Sequence, residues 1–165
     1  MGFRINMFTT TEESAFFFAE IDQNKKVLEY GSGQSTIEIS GKCRSVVSVE
    51  HQEYWHNKTL QIIPSNCELM LKKPTLHYVE GGHCGTYEEF EDYVKAPLSK
   101  GPFDIILIDG RARVACASIC KSLGHKDTIV FIHDFERPEY QEALTHLEQV
   151  AIAGRMAKFK IKENT

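Results

Sequence analysis

The sequence predicts a single α/β domain spanning residues 1–165, built on a mostly parallel, doubly wound sheet of about six strands. Three observations predict it. Short apolar runs alternate with stretches of helical period, the pattern of parallel strands covered on both faces by crossover helices. The run VLEYGSGQST, Val27 to Thr36, breaks into two glycines and a small hydroxyl residue, as a strand does when it turns tightly into a helix. The most apolar run, FDIILID from Phe103 to Asp109, follows the Gly101-Pro102 break and suits the central strand. At 165 residues the chain can bury a real core and is too short for two ordinary domains.

Each element follows in order. Thr10 and Glu13 have the spacing of a capping box for an opening helix through Phe16, Phe17 and Ala19. Val27 to Glu29 is the first strand, and a helix from about Ser35 stops at Gly41. Ser45 to Val49 is the second strand, with Glu50 at its end. A helix carrying Tyr54, Trp55, Leu60 and Ile62 on its apolar side runs to Pro64-Ser65-Asn66. Leu76 to Val79 reads as the third strand, ahead of a glycine-rich loop from Glu80 to Gly85. Thr86 and Glu89 make a second capping box, for a helix bearing Phe90 and Tyr93. After the central strand come a helix from about Val114 to Gly124, a fifth strand from Thr128 to His133, a helix from Glu139 to Val150 and a sixth strand from Met156 to Ile161.

Composition excludes several classes. A hydrophobic fraction of 42% with 25% charged residues rules out disorder. A net charge of −4 and a pI near 6.0 oppose phosphate-backbone binding, so nucleic acid is not a favoured partner. The five cysteines (Cys43, Cys67, Cys84, Cys116, Cys120) are odd in number and lack C-x-x-C spacing. They read as reduced thiols, with Cys116 and Cys120 as small buried hydrophobes on one helix face. No apolar run approaches the ~20 residues of a membrane span, and no signal peptide is visible, so a cytoplasmic protein with no membrane partner is expected.

In doubly wound sheets ligands bind at the carboxyl ends of the strands. That directs attention to Glu29 to Gly33, Glu50, Glu80, Asp109 to Arg113, and His133-Asp134. Gly31 and Gly33 occupy the first two places of G-x-G-x-x-G, and Thr36 the third. A Glu29 carboxylate near that loop would repel a pyrophosphate by on the order of 3 kcal/mol per like-charge pair, taking roughly 5 Å and an effective dielectric of about 20. S-adenosylmethionine instead carries a sulfonium and an ammonium, which the carboxylate attracts. Glu50, about twenty residues past the first glycine, is suited to both ribose hydroxyls of an adenosine-like ligand. NAD would need that contact too, so Glu29 makes the choice.

The order EYGSGQS, VVSVE, FDIILIDGR, VFIHD resembles the class I S-adenosylmethionine-dependent methyltransferases, whose first motif is acidic-x-Gly-x-Gly-x-Gly. More narrowly, IDGRARVACA followed by HDFERPEY resembles a group of small members of that superfamily. The likeness spans about Val27 to Ile161. It implies a Rossmann-like methyltransferase sheet and S-adenosylmethionine as cofactor. It further implies cofactor contact by Glu29, Gly31, Ser32 and Gly33, ribose contact by Glu50, and a methionine-side or catalytic position at Asp109. Tyr30, Ser35, Thr36, His51 and Glu80 complete the expected cofactor set, with His51 placed to cover the adenine. Two departures stand out. Ser35 replaces the third glycine, and only Lys162 to Thr165 follow the sixth strand, too few for the antiparallel seventh strand of the family. The seventh strand is therefore expected to be missing, leaving an edge that a second subunit could cover in a homo-oligomer.

Methyl transfer from a sulfonium is an in-line displacement, so the protein chiefly aligns the acceptor. An alcohol acceptor also needs a base or a metal ion. Asp109, His133 and Asp134 are the catalytic candidates, with His133 as base. Metal-dependent catechol-type O-methyltransferases carry acidic residues at similar positions and an asparagine after the second. Phe135 stands there instead, so no metal ligand is assigned, and a divalent metal stays open without being favoured. Arg111, Arg113 and Arg137 are candidate substrate residues, suited to an anionic acceptor such as a uronate or phosphate ester. Plainer roles exist: Asp134 as a helix cap, His133 as a hydrogen-bonded structural residue, the arginines as solvated surface. Asp109-Gly110-Arg111 is not the Asn/Asp-Pro-Pro-aromatic motif of base N-methylation. The expected function is methylation of an oxygen on a small-molecule or saccharide acceptor. The alternatives are an inactive partner subunit of the same fold and an NAD-dependent oxidoreductase.

Overall fold

A computed structural model describes residues 10–79 and 83–163. The first half consists of α1 (Thr11–Phe18), β1 (Lys26–Tyr30), α2 (Gln34–Ser40), β2 (Ser45–Glu50), α3 (Glu53–Leu60) and β3 (Cys67–Leu71). The second half continues with α4 (Glu91–Lys95), a 3-10 turn (Ala96–Ser99), β4 (Phe103–Ile108), α5 (Arg113–Ser118), α6 (Cys120–Leu123) and β5 (Gly124–Ile132). A 3-10 helix (Pro138–Thr145), β6 (Leu147–Ala153) and β7 (Met156–Ile161) complete it. Among the described residues the seven strands form one sheet in the order β3-β2-β1-β4-β5-β7-β6. The first five strands are mutually parallel, while β7 runs antiparallel to both β5 and β6.

The seventh strand expected to be missing is therefore present, supplied by a segment read as helix. Pro138 opens a 3-10 helix that stops at Thr145, and β6 follows, its exposed Val150 and Ile152 suited to a strand. Ala153 pairs with Met156 across Gly154-Arg155, a two-residue hairpin turn with Gly154 at φ 56°. Met156–Ile161 is consequently an interior strand, and the sheet edge lies at β6. A register shift between Gln149 and Ala151 interrupts that edge, as edge strands often show.

Three further readings change. The third strand is Cys67–Leu71, parallel to β2, whereas Leu76 and Val79 are exposed. Thr86 and Glu89 do exchange reciprocal hydrogen bonds, Thr86 N to Glu89 Oε2 at 2.8 Å and Glu89 N to Thr86 Oγ1 at 3.4 Å, but they close a turn and the helix starts later, at Glu91. The supposed apolar side of α3 faces outward: Tyr54, Trp55, Leu60 and Ile62 are all exposed, and Thr59 is the buried residue of that helix.

Alternation along the strands divides the core between the two sheet faces. Val27, Val46, Ile105, Leu107 and Phe131 point to one side, where Phe17 of α1 and Ile39 of α2 cover them. Leu28, Tyr30, Val47, Ile106 and Ile108 point to the other, beneath Tyr93, Cys116 and Cys120. The two helical cysteines are fully buried free thiols, as their spacing suggests. No helix among the described residues is long and apolar enough to cross a membrane.

Candidate active site

The turn after β1 brings two backbones into contact. Gly31 adopts φ 98° and donates its N–H to Val49 O at 2.8 Å. A Cβ on Gly31 would lie 2.9 Å from the Gly110 Cα, and one on Gly110 would overlap the Tyr93 hydroxyl. Glycine is thus required on both sides of the seam joining the β1 and β4 ends.

Strand parity decides where the neighbouring side chains go. Glu29 shares a face with Val27 and points beneath α2, wholly buried, rather than toward a ligand above the loop. Ser35 Oγ donates to its Oε1, while Thr36 and Ser48 hydroxyls each donate to Oε2 at 2.6 Å. Burial pushes its carboxyl up to about 7 despite those three hydroxyls, which favour the ionised form, and the nearby Asp109 charge adds to the rise. Tyr30 points to the opposite face and donates to Val94 O at 2.6 Å. Thr36 is buried, its Oγ1 also accepting from Gly33 N at 3.0 Å. None of the three lines the cavity described next. They support the loop from below, because side chains within a strand project to the sheet faces and not over its end. Glu80 lies outside the described residues.

Above the loop is an open cavity of about 820 Å³, within the range of small-ligand sites. The glycine turn contributes Gly31, Ser32, Gly33 and Ser35; the end of β2 contributes Glu50 and His51; the β4 and β5 ends contribute Asp109, Arg111, Arg113, Asp134 and Arg137. The outer wall was not foreseen. Trp55 and Thr59 of α3, with Gln52 just before the helix and Ile62 just after it, form a stripe facing the cavity, with Lys58 beside them. Lys58 Nζ lies 5.5 Å from the Trp55 ring centroid and 4.5 Å from that of Tyr54. The signal was available: large apolar residues on a helix whose other face has no comparable stripe.

Glu50 is nearly buried and already engaged. Its Oε2 accepts from Ser32 N at 2.8 Å and Ser32 Oγ at 3.0 Å; its Oε1 accepts from the N–H groups of His51 and Gln52, each at 2.8 Å, and faces His51 Nδ1 at 3.1 Å. Burial alone would raise its carboxyl, but the hydrogen bonds of His51, Gln52 and Ser32 outweigh that and hold it below the usual carboxylate range. Glu50 therefore stays ionised at the cavity wall. A ribose hydroxyl would take the place of the Ser32 hydroxyl or the His51 ring on it, since a carboxylate offers about four acceptor positions.

At the β4 and β5 ends, Asp109, His133 and Asp134 place one ligand-type atom each within 4.8 Å of one another. His133 Nδ1 lies 3.1 Å from Asp109 Oδ1 and 3.8 Å from Asp134 Oδ1. Three arginines already pair with the carboxylates of this cluster. Arg155 Nη1 donates to Asp134 at 2.7 Å, Arg137 Nη2 lies 3.2 Å from it, and Arg113 Nη2 stands 3.4 Å from Asp109 and 3.6 Å from Asp134. Among the described residues the cluster is therefore tied into a salt-bridge network, and a divalent ion there would meet three guanidinium groups. Asp134, at φ 54°, serves that network and not a helix cap.

Two other expectations shift here. Arg113 does line the cavity, yet it is a buried pin: it donates to the carbonyls of Gly110 and His133, with Asp109 O 3.3 Å away, and lies 4.9 Å over the Tyr140 ring. Its donors are spent on the protein. Its far side borders a second cavity of about 740 Å³ that Cys84, Tyr87 and Tyr140 also line. His133 does not line the main cavity; it shares the parity of Phe131 and turns toward α1. Asp109, with a side chain 26% exposed, is the member of the His133–Asp109 pair that reaches the cavity.

The strand order with an antiparallel β7, together with the glycine turn at the cavity, defines the class I methyltransferase fold. The chain is similar to a methyltransferase-like protein from Silicibacter pomeroyi, with a TM-score of 0.73 at 23% identity, covering 94% of this chain and 88% of that one. It is also similar to a TehB-like SAM-dependent methyltransferase from Corynebacterium glutamicum, with a TM-score of 0.59 at 14% identity over 91% of this chain and 87% of that one. A third is the MycE methyltransferase of the mycinamycin biosynthetic pathway, solved in complex with Mg, SAH and mycinamycin VI, with a TM-score of 0.61 at 12% identity over 98% of this chain and 50% of that one. At these identities the likeness establishes the fold. No family model matches the sequence, and no curated protein matches it.

Proposed function

We propose that the protein is an S-adenosylmethionine-dependent methyltransferase acting on an oxygen of a small-molecule or saccharide acceptor. The carrying observation is the convergence of a side-chain-free glycine seam, an ionised Glu50 and a cavity-facing Asp109 on one cavity at the strand ends of this fold. The residues fit the cofactor. The Gly31–Gly110 seam admits a ligand against the backbone, Glu50 offers an acceptor for ribose hydroxyls, and the α3 stripe supplies an apolar wall. When bound, the cofactor would supply an electrophilic methyl group. Asp109 would accept a hydrogen bond or a proton from the acceptor hydroxyl. Arg111 and Arg137 on the rim suit an acceptor carrying negative charge elsewhere.

The alternatives lose ground for separate reasons. An inactive partner subunit drew its support from a trimmed sheet, and the sheet is complete. A dinucleotide reading can no longer be opposed through Glu29, which lies beneath the loop, but dinucleotide-binding folds order their strands 3-2-1-4-5-6 without the antiparallel insertion found here. Calorimetric titration with S-adenosylhomocysteine and with NAD tests the choice. Saturable heat with the first alone supports the proposal; tight binding of NAD alone would sink it. Turnover of labelled cofactor against hydroxyl, carboxyl and amine acceptors then assigns the acceptor atom.

A further inference from the structure

We propose that Glu13, on α1, is a positioning residue for the reacting centre, holding the His133 ring between two carboxylates so that Nδ1 is presented to Asp109. What Asp109 then does rests on the methyl-transfer reading; the placement of Glu13 does not. Glu13 has no exposed surface, although its neighbours Thr11 and Glu12 are exposed. It lies one turn before Phe17, on the stripe of α1 that packs against Phe131, with the Phe17 and Phe131 rings 5.0 Å apart. That register carries the carboxylate to His133.

Its two oxygens have different partners. Oε1 accepts from Arg155 N at 2.7 Å, and Oε2 lies 3.7 Å from His133 Nε2. The β6–β7 turn is shaped around it: a Cβ on Gly154 would come within 2.7 Å of Glu13 Oε1. Arg155 Nε also lies 4.0 Å from Oε1, so that oxygen is taken by the backbone and side chain of one arginine, while Oε2 is the oxygen turned to the imidazole. Among the described residues, the charged groups around His133 include Asp109, its neighbour Asp134, Glu13 from α1, and the Arg113 and Arg155 guanidiniums that hold Asp134. Burial would push the ring down, but hydrogen bonding to Asp109 and the charges of Asp109, Asp134 and Glu13 raise it above its ordinary value. The cationic form of the ring, which donates to Asp109, is thereby favoured.

Glu13→Gln separates the two roles, because its amide oxygen still accepts from Arg155 N while the charge is gone. The test is an NMR titration of the His133 ring in native, Glu13→Gln and Glu13→Asp proteins without cofactor, with thermal unfolding alongside. The expected result is a folded Glu13→Gln protein whose His133 titrates at lower pH, by about half a unit or more, with Glu13→Asp recovering much of the native value. An unchanged His133 titration in folded Glu13→Gln overturns the proposal. Should that variant fail to fold, the native protein decides: a His133 that titrates at or below the ordinary imidazole value overturns it, and an elevated one supports it. Failure of the native protein to bind S-adenosylhomocysteine counts against the methyl-transfer reading, since the titration is read without it.

Discussion

Gly31 and Gly110 meet backbone to backbone, with room for a Cβ on neither, and this seam sets the floor of the cavity. Gly110→Ala would drive a methyl group into the Tyr93 hydroxyl, which is buried among Tyr30 and Phe90. We expect a loss of about 1–3 kcal/mol, the usual cost of overpacking a fixed core. Denaturant unfolding measures it, and a variant as stable as the native protein would show that the seam can open.

The position of Glu29 gives a pH signature. An unfolded glutamate releases its proton near its ordinary value of 4.5, whereas the folded one holds it to about 7. Between those values the folded state binds more protons, so stability falls as pH rises across the window, by roughly 3 kcal/mol in total. The raised value at His133 acts in the same direction over a window that starts at its ordinary value of 6.5, since its stabilisation is full below the unfolded value and is lost as pH rises through the folded one. Glu29→Gln should abolish the first part of the decline. Unfolding free energies of both proteins across pH 4.5 to 7 decide it.

Trp55 is the single tryptophan of the chain and stands 43% exposed on the cavity wall. Ligand entering along α3 should change its emission. Titration with S-adenosylhomocysteine is expected to give a saturable fluorescence change that Trp55→Phe removes. A calorimetrically confirmed complex with unaltered emission would place the ligand away from α3.

Arg113 ties the ends of β4 and β5 together. Arg113→Ala would take from Asp109 its guanidinium partner and leave three carbonyls without their donor, at an expected cost of about 3 kcal/mol. It would also thin the wall between the two cavities. Arg113→Lys cannot reproduce the fork and should lie between the two. Thermal unfolding of the three proteins gives the order.

Chelation offers a further check. Because guanidinium groups already pair with Asp109 and Asp134, S-adenosylhomocysteine affinity should be the same with and without EDTA. A dependence on added magnesium would mean that the arginines yield to an ion.

Much of the site was legible in the chain because the relevant features are local. The glycine turn, Glu50 and Asp109 sit just past apolar runs, and Thr10 caps its helix as its spacing suggests, accepting from Glu13 N at 3.1 Å. What escaped required knowledge of facing. Glu29 and Tyr30 were placed beside the ligand, yet counting from Val27 puts them on opposite sheet faces, both under cover. Glu13 has the spacing of a cap partner for Thr10, and its spacing of one turn from Phe17 is what turns it inward. The Leu147–Ala153 segment carries apolar residues at spacings compatible with either period, and only pairing with β7 makes it a strand. Trp55 and Ile62 looked like core because apolar helix residues usually are; here they border a cavity.

Insertion of β7 between β5 and β6 leaves the outermost strand attached to the sheet through one neighbour, β7. In deuterated water the amides of Leu147–Ala153 should therefore lose their protons well before those of Met156–Ile161. Fraying of that rim would leave the β5–β7 ladder, and with it the floor beneath His133, intact.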